Sequence, residues 1–170
     1  MKKLKIIAIS VVCLFASLSA NAQIKKFYEK YSGKEGITKV FISQSMLSIA
    51  GDYTSDSGMK IGNTGKDIDI GKIMKKLDGL YVLTTENSSL AGDMNRDFDK
   101  LLSSYKLELL MEVDSDDENV KMYIERKGNI IKTFLMKALD SDGELSLIFF
   151  SGNIPEEDLL AAVKQAGAEK

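Results

Sequence analysis

YKLELLMEVDSDDENVKMYIERKGNIIKTFLMKALDSDGELSLIFFSG, residues 105–152, decides the fold. Four apolar or alternating runs stand in it, Lys106–Asp114, Val120–Lys127, Ile130–Leu139 and Leu145–Ser151. The gaps between them are short and rich in Asp, Ser, Asn and Gly: residues 114–119, 127–129 and 140–144. Alternation interrupted by turn residues is the signature of hairpins, so this stretch predicts a four-strand antiparallel meander.

Working toward the N-terminus, two further strands are expected at Ile37–Ser43 and Leu80–Thr85, both rich in β-branched and aromatic residues. Each leads from a glycine through a strand into a helix, which places the two side by side or in similar positions beside the meander. Helical spacing runs through Ile24, Phe27, Tyr28 and Tyr31. A short helix is expected at Met46–Ala50, stopping at Gly51, and another over Asp67–Leu77. Leu90, Met94, Phe98, Leu101 and Leu102 form an apolar stripe behind a cap at Ser88 or Ser89. A last helix is expected over Pro155–Gly167, capped by Asn153, with Glu156, Glu157 and Asp158 at the positive end of its dipole. The reading is one α+β domain over residues 23–170, with a mixed or antiparallel sheet of about six strands and helices mainly on one face.

Residues 1–22 fall outside that domain. Lys2, Lys3 and Lys5 precede an apolar run from Ile6 to Leu18, too short to span a bilayer comfortably, and Ala20-Asn21-Ala22 offers small residues where a signal peptidase reads. Cleavage before Gln23 is expected, and with it a periplasmic or secreted location with no membrane span remaining. Cys13 lies in the middle of the apolar run, where lipid attachment would not occur. Losing this segment removes three lysines and the one cysteine, leaving 20 basic against 25 acidic side chains, a net charge of −5. That balance argues against a nucleic-acid partner.

The chain has no histidine and no tryptophan. The commonest general base, thiolate nucleophiles and the usual zinc ligands are therefore missing after cleavage, and a sugar site would lack its broadest aromatic platform. No catalytic, cofactor or metal residue is assigned. The acidic turns come nearest to a site. In a meander, Asp114, Asp116, Asp117 and Glu118 share one end of the sheet with Asp140, Asp142 and Glu144. From Asp114 the acids even fall at positions 1, 3, 5 and 12 of an EF-hand loop, but position 6 is Asn119 instead of glycine, and Glu125 sits within a strand. Solvated turns are the better reading. Residues 58–67, GMKIGNTGKD, are spaced wrongly for a phosphate loop, and Ser57-x-x-Lys60 lacks the partner motifs of penicillin-recognising enzymes.

FYEKYSGKEGITKVFIS (27–43), LDGLYVL (77–83), YKLELLMEV (105–113) and GELSLIFFSG (143–152) resemble domain-of-unknown-function family 4252, short exported proteins of Bacteroidetes. The resemblance implies export and a single domain. Its motifs are core and turn patterns, so it transfers no catalytic residue.

What remains is the sheet surface. Leu145, Leu147 and Phe149 oppose Ser146, Ile148 and Phe150, and the strand at 130–139 is apolar on both sides, with Phe134, Met136 and Ala138 opposing Ile131, Leu135 and Leu139. A second face carrying Leu110, Tyr123, Leu135, Ile148 and Phe150 is therefore expected to need cover. The first helix, through Ile24, Phe27 and Tyr31, or the 52–66 loop could supply it from within the chain. A protein partner or a second copy could supply it from outside. The expected function is a non-enzymatic binding or assembly module of the cell envelope acting through this face. The rival readings are a carboxylate-dependent hydrolase at the acidic turns and a sensor partner of a membrane regulator.

Overall fold

The computed structural model describes residues 20–56, 70–105 and 107–160. Its frame is a six-stranded, wholly antiparallel sheet in the order β1-β2-β6-β5-β4-β3. The strands are β1 (Thr38–Ser43), β2 (Leu77–Thr85), β3 (Glu108–Asp114), β4 (Glu118–Lys127), β5 (Ile130–Asp140) and β6 (Leu145–Pro155). The expected meander is β3 to β6, and β2 pairs with its last strand, so the two early strands extend the sheet as neighbours.

Turn chemistry explains the meander. Lys127 pairs with Ile130, so Gly128-Asn129 makes a two-residue turn, and Gly128 adopts φ +62°, which suits glycine at the first central position. Between β5 and β6, Gly143 sits at φ +88°, and the Asp140 carboxylate accepts the Glu144 N–H at 2.8 Å.

Face one is sealed by α1 (Ala20–Ser32) and α4 (Ser88–Ser103). Ile24, Phe27 and Tyr31 from α1 and Ala91, Met94, Phe98 and Leu101 from α4 pack on Leu83, Leu135, Leu145, Leu147 and Phe149. Phe27, Phe98 and Phe149 lie mutually 5.5–6.3 Å apart, tilted or edge to face, the arrangement aromatic rings prefer. Burying each such ring contributes about 1.5–3 kcal/mol.

Face two is covered by α2 (Gln44–Asp56), α3 (Ile70–Met74) and helical residues 156–160. Leu47, Ile73, Met74 and Leu159 meet Ile124, Ile131, Phe134, Ile154 and Phe150 there. Helices thus lie on both faces, those richest in buried side chains on face one.

Several local expectations need correction. Gly51 does not end α2, which runs on to Asp56. A Cβ there would lie 2.6 Å from the Gly71 carbonyl, so Gly51 is a point of close helix approach instead of a stop. Leu77 belongs to β2, not to the preceding helix. The cap of α4 is Asn87, whose Oδ1 accepts from the N–H groups of Ser89 and Leu90 at 3.1 Å each, and not Ser88 or Ser89. Asn153 is not a cap either. It lies inside β6, accepts from Lys132 and donates its backbone N–H to Lys76 O at 3.0 Å. β6 reaches Pro155 because Gly152 lets the Lys76 backbone close in: a Cβ at 152 would be 2.2 Å from Lys76 O.

Candidate functional site, an apolar row on face two

Register determines what the sheet offers. Directly opposite residues of an antiparallel pair share a face, so partners can be followed across all six strands. One row on face two reads Val40, Val82, Ile148, Met136, Met122, Met111. Every member is apolar and none is buried: Val40 is 43% exposed and the other five are half-buried. The row toward the helices, Ile42–Leu80–Phe150–Phe134–Ile124, is the covered one, with Phe134 and Phe150 stacked at 4.5 Å. On its other side lie Thr38, Thr84, Ser146, Ala138, Val120 and Val113, where Thr84 and Ser146 share a 3.0 Å hydroxyl hydrogen bond.

The candidate row offers no side-chain donor or acceptor. It can take an apolar surface and little else. Its three methionines suit irregular partners, because an unbranched thioether side chain adapts its shape at small cost.

The five interface residues expected from sequence divide between the faces. Ile148 lies at the centre of the half-exposed row. Phe150 and Leu110 also lie on face two, half-buried and packed against its core, as Met122 and Met136 of the row are. Leu135 and Tyr123 do not lie on this face. Leu135 is paired with Phe149 and Tyr123, is fully buried, and faces α1 and α4. Register is the cause: Met136, not Leu135, stands opposite Ile148, and Met122, not Tyr123, stands opposite Met136, while a bulge between Ile131 and Thr133 leaves Ile131 on the face of Phe134. The expected cover is corrected in part: α1 seals the face of Leu135 and not that of Ile148, while of the 52–66 segment residues 52–56 belong to α2 on face two and the rest lies outside the described residues. Val40, Val82, Met111, Met122 and Met136 were missed by sequence reasoning. Each strand's alternation was visible, but only register shows that these residues line up.

The acidic turns do meet. Glu118 pairs with Asp140, and the Ser141 N–H donates to Asp117 O at 2.9 Å. Among the described residues, however, no three Asp, Glu, His or Cys side chains are grouped to hold a metal. Glu125 accepts from Thr133 Oγ1 at 3.0 Å, engaged within the sheet. Among the described residues, the two carboxyls with displaced ionisation both move down. Lys30, Tyr31 and Lys100 donate to Asp97 and hold it well below the usual carboxylate range, and a hydrogen bond from the Arg126 guanidinium lowers Glu108. Both stay charged, the opposite of what a general acid requires. The 57–60 and 58–67 motifs lie outside the described residues. No helix among the described residues is long and apolar enough to cross a membrane.

No curated protein matches the chain. A hot-dog-like protein from Thermanaerovibrio acidaminovorans, known from its crystal structure, aligns with 79% of this chain and 92% of its own at 13% identity, with a TM-score of 0.17, too low to bear on fold or function. The family model of a domain of unknown function, DUF4252, matches residues 28–161, and the chain belongs to that family.

Proposed function

We propose that this is an exported, non-enzymatic binding or assembly module of the cell envelope that engages an apolar surface of a protein partner through face two. The observation that carries the reading is the row Val40–Val82–Ile148–Met136–Met122–Met111, apolar on every strand and fully buried on none. An unbroken row of partly exposed apolar side chains across a sheet favours an interaction site.

A photo-crosslinking amino acid at Ile148 tests it in the native cell. An adduct of higher mass is expected from position 148 and not from Asp116, which is exposed in the acidic turn. Equal yields from the two positions would remove the reading. The variant Ile148→Lys should abolish whatever adduct a probe at the neighbouring Met122 gives, while the domain stays folded.

A further inference from the structure

The two edges of the sheet are built differently. The β3 edge is defended: Glu108, Glu112 and Asp114 charge it, and a bulge between Leu109 and Met111 breaks its regularity. Those are the devices that keep edge strands from pairing with other chains. β1, with the sequence TKVFIS, has none of them beyond Lys39. It carries no proline and no bulge, and its pairing to β2 is regular over all six residues. Its other side has no strand partner among the described residues.

Exposed apolar side chains gather at the same edge. Of the eight large hydrophobic residues left exposed among the described residues, five, Val40, Phe41, Met46, Ile49 and Tyr53, fall in the β1–α2 segment, while Leu109 and Val113 lie among the charges of β3. Phe41 is 52% exposed although it stacks on Tyr81 at 4.8 Å, and Tyr28 closes the cluster at 5.1 Å from Tyr81. On face one, the row Leu109–Tyr123–Leu135–Phe149–Tyr81–Phe41 therefore ends in an aromatic ring at an open edge.

We propose that β1 pairs antiparallel with β1 of a second copy of this chain about a two-fold axis at Phe41, making one continuous twelve-strand sheet from two copies. This goes beyond the face-two reading and rests on the β1 edge, with only Val40 common to both. The symmetry is restrictive. Opposite residues must share a face, so their numbers must have the same parity, and only Val40 or Phe41 can sit centrally on the axis. Centring on Val40 sets Lys39 against Phe41 and Thr38 against Ile42. Centring on Phe41 sets Phe41 against its own copy, Val40 against Ile42, and Lys39 against Ser43. The second register pairs apolar with apolar on both faces and holds the two Lys39 residues about 13 Å apart along the strand. The interface is isologous and closes on itself, leaving the defended β3 edges outermost.

Disulfide trapping reads the register. Cys13 is the chain's one cysteine, so a Cys13→Ser background is free of thiols. Phe41→Cys in that background brings two thiols directly opposite, with Cα atoms about 5 Å apart, within disulfide reach. Val40→Cys leaves its two thiols about 8 Å apart by Cα, too far to bond. Under mild oxidation at micromolar protein, Phe41→Cys should give at least ten-fold more covalent dimer than Val40→Cys, and the double variant Val40→Cys/Ile42→Cys should cross-link as well. Wild-type protein should sediment as a dimer, and Phe41→Lys as a monomer with unchanged circular dichroism. A wild-type monomer at every concentration, or equal cross-linking at positions 40 and 41, would overturn the proposal. Because Ile148 is untouched throughout, the face-two reading stands or falls separately.

Discussion

Asp97 shows how much one side chain can fix. It stands on α4, takes the Tyr31 hydroxyl at 2.7 Å and Lys100 at 3.2 Å, and is bridged by Lys30, so it ties α1 to α4 over face one. Burial and the Asp97 bond raise the Tyr31 phenol, keeping it neutral and donating. A carboxyl depressed in the folded state contributes stability above its unfolded value near 4, and that contribution is lost as pH falls toward the folded value. Asp97→Asn keeps an acceptor for Tyr31 but loses the charge. It should cost about 1–2 kcal/mol at pH 7, and denaturant titrations from pH 7 to pH 2 should show the gap closing below about pH 4. A gap that stays constant with pH would mean the carboxylate charge is not what matters. Lys137 makes a related tie from the sheet: nearly buried on β5, it reaches Asn95 at 2.8 Å and Asp99 at 3.3 Å on α4 and lies over the Phe98 ring.

At the scale of the element, the start of α4 is the test of local reading. Asn87 Oδ1 satisfies two N–H groups that the first turn would otherwise leave open, so Asn87→Ala should destabilise the protein by about 1 kcal/mol, measured by urea unfolding, whereas Ser88→Ala should change it little. Ser88 and Ser89 were the caps expected, but Asn87 just before them is an equally good capping type, and propensity alone does not choose among the three. Elements of the meander were legible because turn residues and alternation are local: Gly128-Asn129 and Asp142-Gly143 mark their hairpins without help from the rest of the chain. What alternation cannot reveal is where a strand changes phase. The bulges between Leu109 and Met111 and between Ile131 and Thr133 carry no distinctive residue, yet the second one sends Leu135 to the opposite face from the one its spacing from Ile131 suggests. The end of β6 was obscured for a similar reason. Pro155 and the acids after it signal a helix start, and the close approach of Lys76 at Gly152 that draws the strand onward is a contact 76 residues away in sequence.

At the scale of the whole molecule, the sheet has two unlike faces, and the contrast yields the most discriminating prediction. Leu135 and Ile148 look equivalent in sequence, each a large aliphatic residue in a strand apolar on both sides. In the folded protein Leu135 is fully enclosed between α1, α4 and its partners Tyr123 and Phe149, while Ile148 stands half-open between Val82 and Met136. Leu135→Ala should therefore leave a cavity under the helices and cost about 2–5 kcal/mol. Ile148→Lys can extend its ammonium past the rim of the row and should cost under about 1 kcal/mol. Thermal unfolding of the two variants side by side decides it, provided both are measured at one concentration, since association adds stability by mass action. If Ile148→Lys unfolds as readily as Leu135→Ala, face two is core throughout and cannot be a docking surface. If Leu135→Ala is tolerated and Ile148→Lys is not, the faces are reversed and the pairing of Met136 with Ile148 is wrong. The expected order, Leu135 costly and Ile148 cheap, follows from a sheet whose helices α1 and α4 have already committed their apolar stripes to the other side.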